Sequence, residues 1–166
     1  RPDRARDLAR PPVHFLGGGT AATNRAVSEM PDLTRTAAAD SGARAFAMAG
    51  LGPRDMDVLQ LYDAFTINVI LFLEDLGFCP KGEGGPFVAD GRLAPGGALP
   101  VNTNGGGLSC VHPGMYGIFT LIEAVRQLRG EAGARQVAGA STALCHGNGG
   151  TLSHQATAIF GNADAL

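Results

Sequence analysis

The sequence predicts an α/β domain in which a mixed sheet is flanked by helices. Three observations predict it. Helix-period apolar stretches alternate with short strand-like runs, glycine closes each helical stretch, and two strand-like runs end the chain. Residues 11–16 are a short apolar run ending in Gly17-Gly18-Gly19, a strand that opens into a loop. Residues 36–50, rich in alanine and carrying Phe46 and Met48, form a helix that Gly50-Leu51-Gly52-Pro53 stops. Residues 57–62 are a buried strand leading into a helix over 63–77, with Phe65, Val69, Phe72 and Leu76 on one face and Gly77 at its carboxyl end. Residues 80–100 are rich in Gly and Pro, a long excursion of the kind compact domains keep for function. A helix over 115–129 carries Ile118, Leu121, Ile122, Val125 and Leu128 as its apolar stripe and stops at Gly130. Residues 140–144 and 152–160 are the two closing strands. Residues 1–35 make an amino-terminal segment, partly extended or linking, and 36–166 the domain proper.

Composition excludes several classes of function. The formal net charge is −2 with both signs interspersed, so no basic stripe is available for nucleic-acid phosphates. The longest apolar stretch, over 65–72, is broken by Asn68 and ends before Glu74, short of the ~20 residues a bilayer span needs. No apolar core directly follows the charged first ten residues, so a signal peptide is not expected. Three cysteines, Cys79, Cys110 and Cys145, are too few and odd in number for a disulfide framework, which points to a reducing, cytoplasmic compartment.

Two glycine-bracketed segments in the second half carry the reactive side chains. The first runs from Asn102 through Gly105-Gly106-Gly107, Cys110, His112-Pro113 and Tyr116; the second is Cys145-His146-Gly147-Asn148-Gly149-Gly150. Glycine runs cost ordering entropy and let backbone approach a ligand closely, so an active site is the expected reason for both. His112, just before a predicted helix, stands where backbone N–H groups favour developing negative charge, and an imidazole there stabilises an oxyanion by ~3 kcal/mol. Cys145 and His146 end a predicted strand, where α/β sheets bind ligands, and a thiol whose pKa is lowered by a neighbouring histidine serves as an acid or base. A zinc set of Cys110, His112, Cys145 and His146 lacks the usual ligand spacing, so no metal is expected. Nor does the run from Gly17 fit a phosphate-binding loop. His14 and His154 are read as structural.

At these residues the chain resembles the thiolase superfamily, in particular the carboxyl-terminal half of sterol-carrier-protein thiolases and related acyl-CoA enzymes. Tyr62-Asp63-Ala64-Phe65 is similar to their Asn-Glu-Ala-Phe or His-Asp-Cys-Phe; the segment from Asn102 to His112-Pro113 resembles their Asn-x-x-Gly-Gly to Gly-His-Pro; Cys145-His146-Gly147-Asn148-Gly149 resembles their Cys-x-Gly-Gly-Gly. The resemblance implies a layered thiolase-like fold with His112 as oxyanion donor and Cys145 as acid/base, assisted by His146. It places Asn102, Gly106, Gly107, Asn148 and Gly149 against substrate. The substrate is an acyl-CoA, with coenzyme A present only as part of it and no other cofactor.

The family's nucleophilic cysteine lies in the amino-terminal half, and no segment here resembles its surroundings. The chain is therefore expected to be inactive alone and to work with an amino-terminal thiolase half or a second copy. Tyr62 and Tyr116, the chain's two tyrosines, both fall in family motifs. They favour the branch of steroid side-chain aldolases, which cleave a β-hydroxyacyl-CoA by a retro-aldol step beside a DUF35-type OB-fold partner. Thiolysis or its reverse, retro-aldol cleavage and a non-catalytic scaffold role are the three expectations.

Overall fold

A computed structural model describes residue 5 and residues 7–110 and 114–166. Its elements are β1 His14–Ala22, α1 Ala38–Ala49, β2 Val58–Leu61, α2 Thr66–Asp75, the single turn α3 Gly84–Phe87, the single turn α4 Gly106–Ser109, α5 Gly117–Leu128, β3 Thr142–Gly149 and β4 His154–Gly161. The sheet order is β1-β4-β3-β2. β1 and β3 pair antiparallel to β4, and β2 pairs parallel to β3, so the mixed sheet expected from the sequence is present.

Strand periodicity divides the core. Leu59, Leu61, Leu144 and Ile159 face α1 and α2, packing on Ala45, Phe46, Phe72, Leu73 and Leu76. Val58, Ala143 and Cys145 face the other way, against Ala124 and Leu128 of α5. Register between β2 and β3 is set at their starts. Asp57 Oδ2 accepts the N–H groups of Ser141 and Thr142 at 2.8 and 2.9 Å and both hydroxyls at 2.9 and 3.0 Å, which brings Val58 opposite Ala143.

Gly17-Gly18-Gly19 does not open a loop as the sequence suggests; the strand continues through it, with a bulge between Phe15 and Gly17, as an edge paired to β4. The glycines are there because α1 lies almost on the strand. A Cβ on Gly17 would collide with Ala45 O, and one on Gly19 with Ser41 O.

The stripe expected to bury α5 faces inward only in part: Leu128 is buried and Leu121 and Val125 are half-buried, but Ile118 and Ile122 are exposed. Ile118, Phe119 and Ile122 are 41–50% exposed, whereas Thr120, Glu123, Ala124, Gln127 and Leu128 are buried. The polar members of that inner face are bonded to one another and to β2. Glu123 Oε1 accepts from Thr103 Oγ1 at 2.8 Å and from Gln127 Nε2 at 3.1 Å, its Oε2 accepts from Arg135 Nη2 at 3.0 Å, and Gln60 Nε2 donates to Thr103 Oγ1 at 3.1 Å. Burial pushes the Glu123 carboxyl up, but hydrogen bonds from Arg135, Thr103 and Gln127 outweigh it and hold the pKa below the usual carboxylate range. A satisfied polar network therefore holds α5 to the sheet beside Ala124 and Leu128, and Ile118, Phe119 and Ile122 are left facing out.

Residues 80–100 pack on α2 rather than hanging free. Lys81 Nζ donates to Asp75 Oδ1 at 2.7 Å and to Thr34 O at 2.6 Å, and Gly84 N donates to Glu74 Oε1 at 2.9 Å. Val101 then bridges to Leu59 alongside β2. None of the described helices is long and apolar enough to cross a membrane.

Candidate active site

A cleft of about 590 Å³ opens where the parallel strands β2 and β3 end, the place in α/β sheets where loops diverge and ligands bind. Tyr62 to Phe65 enter it from the end of β2, Asn68 from α2, Gly107, Leu108 and Cys110 from the turn α4, and Asn148 to Leu152 from the end of β3. No residue of 80–100 is among the described residues lining it, so that excursion does not border the cleft.

Asp63 organises the entrance. It is 4% exposed, and its Oδ1 accepts the N–H of Gly107 at 2.6 Å while Oδ2 accepts that of Leu108 at 3.2 Å. The carboxylate thereby fixes the turn that follows Gly105-Gly106. Gly106 sits at φ 68, and a Cβ there would collide with Asp63 Oδ2, so only glycine fits. Asn102, expected against substrate, instead latches this loop to β2. Its Oδ1 accepts Leu61 N–H at 2.8 Å and its Nδ2 donates to Leu61 O at 2.9 Å. Asn102 and Gly106 therefore shape the cleft from behind, whereas Gly107, Asn148 and Gly149 line it.

The two phenols come together. The rings of Tyr62 and Tyr116 stack with centroids 4.9 Å apart at 27°, and Phe119 stacks on Tyr116 at 5.9 Å. Tyr62 lines the cleft and Tyr116, 5% exposed, supports it from behind. Burial, with the Asp63 charge second, raises both phenol pKa values, that of Tyr116 to about 12 despite a hydrogen bond from Asn104. At neutral pH both are protonated and act as hydrogen-bond donors.

β3 runs on to Gly149, so Cys145 and His146 lie within a strand rather than at its end. Successive residues face opposite sides, and the histidine does not touch the thiol. Cys145 faces α5, where its Sγ donates to Thr120 O at 3.5 Å and it lines a second, apolar hollow of about 550 Å³ with Phe15, Gly117 and Gly147. Burial pushes its pKa up to about 12, opposite to the expected lowering by a histidine. His146 faces the α1 and α2 side and is fully buried. Its Nδ1 and Nε2 lie 2.9 Å from Thr157 Oγ1 and 2.8 Å from Gln155 Oε1, its ring packs on Phe72 at 4.4 Å, and burial holds its pKa down at about 4. The structure thus gives His146 a core role and brings neither residue into the Tyr62 cleft. His112 lies outside the described residues.

Sequence reasoning missed Asp63 and Asn68 as contributors to the site. Asp63 was visible only as a member of the Tyr-Asp-Ala-Phe motif. Asn68 had one signal, a lone amide in an apolar helix. The connection after β3 is strained as well. Thr151 and Leu152 have φ of 52 and 69, a conformation that costs a non-glycine residue roughly 1–2 kcal/mol and that turns the chain back beside the cleft.

Comparison with known proteins gives a consistent picture. A family described as thiolase C-terminal domain-like matches residues 19–162. The chain is 44% identical over 160 residues to an acetyl-CoA acetyltransferase of Methanothermobacter thermautotrophicus, covering 95% of this chain and 42% of that protein. It is 38% identical over 138 residues to a steroid side-chain-cleaving aldolase of Thermomonospora curvata, covering 77% and 34%. Among solved structures it superposes on the Ltp2-ChsH2(DUF35) aldolase with a TM-score of 0.86 at 33% identity, covering 99% of this chain and 43% of that one. The chain spans less than half the length of these relatives.

Proposed function

Because the chain belongs to the thiolase C-terminal domain-like family, we propose that it forms the carboxyl-terminal part of an enzyme that makes or breaks a carbon–carbon bond beside an acyl-CoA thioester carbonyl. The observation that carries the reading is the cleft at the ends of β2 and β3, walled by a neutral phenol, glycine backbone and the Asn148 amide. Thiolysis and aldol cleavage share one demand. Electrons released by the breaking Cα–Cβ bond go to the thioester oxygen as an enolate, which neutral donors held in place stabilise. In this reading His112 and Tyr62 donate to that oxygen, and Gly107 and Gly149 let the thioester approach closely.

Within that class the phenol pair favours retro-aldol cleavage. A base takes the proton of the β-hydroxyl, the Cα–Cβ bond breaks, the β-carbon leaves as a carbonyl, and the enolate takes a proton at Cα to give a shortened acyl-CoA. A phenol with a pKa of about 12 suits that last protonation better than the first step, so Tyr116 is assigned to the donor side. The retained polar groups argue against a purely scaffolding role.

The outward apolar face of α5, with Ile118, Phe119 and Ile122, suits a partner covering it. An amino-terminal thiolase half, present in relatives more than twice this chain's length, is the partner assigned there; a DUF35-type protein goes with the aldolase reading. Coenzyme A enters only as part of the substrate, and the three free cysteines fit a cytoplasmic setting.

The test is product analysis by mass spectrometry with the chain assembled with its amino-terminal half. A β-hydroxyacyl-CoA should yield a carbonyl compound and a shortened acyl-CoA without added CoA. Cleavage of a β-ketoacyl-CoA dependent on free CoA assigns thiolysis instead, and no cleavage of either rejects the enzyme reading.

A further inference from the structure

Asn68 lies in the first turn of α2, 2% exposed, and lines the cleft. Its Oδ1 has no hydrogen-bond partner among the described residues, and neither has the buried Nδ2 of Asn148, which lines the same cleft from the end of β3. A buried amide atom without a partner costs ~1–3 kcal/mol, and folded chains satisfy nearly all such atoms. Here two occur at one cleft, one an acceptor and the other a donor. They would satisfy each other if they were within hydrogen-bond reach, and they do not. The cleft thus carries one unpartnered acceptor and one unpartnered donor, on two different elements.

We propose that Asn68 and Asn148 form a subsite that reads a secondary amide in the pantetheine arm of the substrate, Asn68 Oδ1 accepting the amide N–H and Asn148 Nδ2 donating to the amide carbonyl. The assignment rests on the acyl-CoA reading given above. A trans amide projects its donor and acceptor from opposite edges, matching partners carried on two different elements, whereas a hydroxyl would need both asparagines within ~3 Å of a single oxygen. The surrounding wall of Ala64, Phe65, Leu108 and Leu152 suits the methylenes that flank each amide of the arm. Selectivity then comes from the penalty of leaving Asn68 and Asn148 unpaired when a thioester lacking the amide is bound.

The test compares α-proton exchange into D2O for S-acetylpantetheine and for S-ethyl thioacetate, using the assembled protein as wild type, Asn68→Leu and Asn148→Asp. The wild type should prefer the pantetheine thioester, and each variant should lower that preference, the ratio of the two kcat/KM values, by about tenfold. Asn68→Leu should also raise Tm, because it removes an unpaired buried acceptor. If both thioesters slow equally in the variants, or the preference is unchanged, the pair does not read an amide. A loss of discrimination between 3-hydroxyacyl- and acylpantetheine would assign the pair to the acyl hydroxyl and overturn the proposal. Exchange of neither thioester by the wild type would instead reject the acyl-CoA reading on which the subsite stands.

Discussion

Gly106→Ala should destabilise the protein by about 3 kcal/mol, and by only about 1 kcal/mol once Asp63 is also alanine. Two separate penalties make up the first figure. An alanine at φ 68 pays roughly 1 kcal/mol for the left-handed conformation. Its Cβ also displaces Asp63 Oδ2, and with it the bonds from Gly107 and Leu108 N–H at 2.6 and 3.2 Å; hydrogen bonds to a charged group contribute about 1.5–3 kcal/mol. In an Asp63→Ala background those bonds and the clash with Oδ2 are already gone, so what remains is the conformational penalty and a tight but adjustable approach to Asn102 Nδ2 at 3.0 Å. The two changes should therefore couple by about 2 kcal/mol in a double-mutant cycle. Equilibrium urea unfolding of the four proteins measures it. Additive effects, with coupling below about 0.5 kcal/mol, would refute the claim that the Asp63 carboxylate fixes the glycine turn.

His146 has a folded pKa of about 4, below its ordinary value, so the unfolded chain takes up the proton more readily and stability falls as pH drops from 6.5 toward 4. Between pH 6.5 and 5 this loss is about 1.5 kcal/mol for wild type and absent from His146→Gln, as read by denaturation at each pH; parallel curves would contradict it. A native-state alkylation time course should modify exposed Cys110 quickly and Cys79 and Cys145, both buried with raised pKa, only on unfolding; fast labelling of Cys145 would overturn its placement. Gly19→Ala should cost about 2–3 kcal/mol by forcing β1 off α1, whereas Gly85→Ala, with open space around it, should stay within about 0.5 kcal/mol. If Tyr116 gives the enolate its proton as proposed, Tyr116→Phe should lower retro-aldol turnover at least tenfold with little change in KM. Unchanged turnover would remove the phenol from the chemistry.

The alternation of helix and strand was legible because each element carries its own period and stop. Gly50 at φ 68 closes α1 where the sequence placed a stop, and β2 over Val58–Leu61 is buried throughout, as its apolar run implied. What was not legible depends on partners far along the chain. Gly17-Gly18-Gly19 looks like a loop until α1 is seen lying on it, because close backbone approach leaves no period in the sequence. Part of the α5 stripe, Ile118 and Ile122, faces out for a related reason. Periodicity reports two faces, and a polar face becomes the inner one when Thr103 and Arg135 supply bonds for Glu123 and Gln127. In the site, the glycine segments marked the right loops, and Tyr62, Gly107, Asn148 and Gly149 do meet at one cleft. Cys145 and His146 did not follow, since three more residues of strand carry β3 past them and alternate pleating sends them to opposite faces. Asp63 was illegible as an organiser because its bonds are to backbone more than forty residues away, at Gly107 and Leu108.

A cleft that stabilises a thioester enolate should exchange α-protons, and isotope exchange reads that step without requiring the full reaction. The chain assembled with its amino-terminal half should wash deuterium from D2O into the α-carbon of acetyl-CoA, followed by mass spectrometry, and Tyr62→Phe should slow the exchange at least tenfold. No exchange above the solvent background by the wild-type assembly would contradict it.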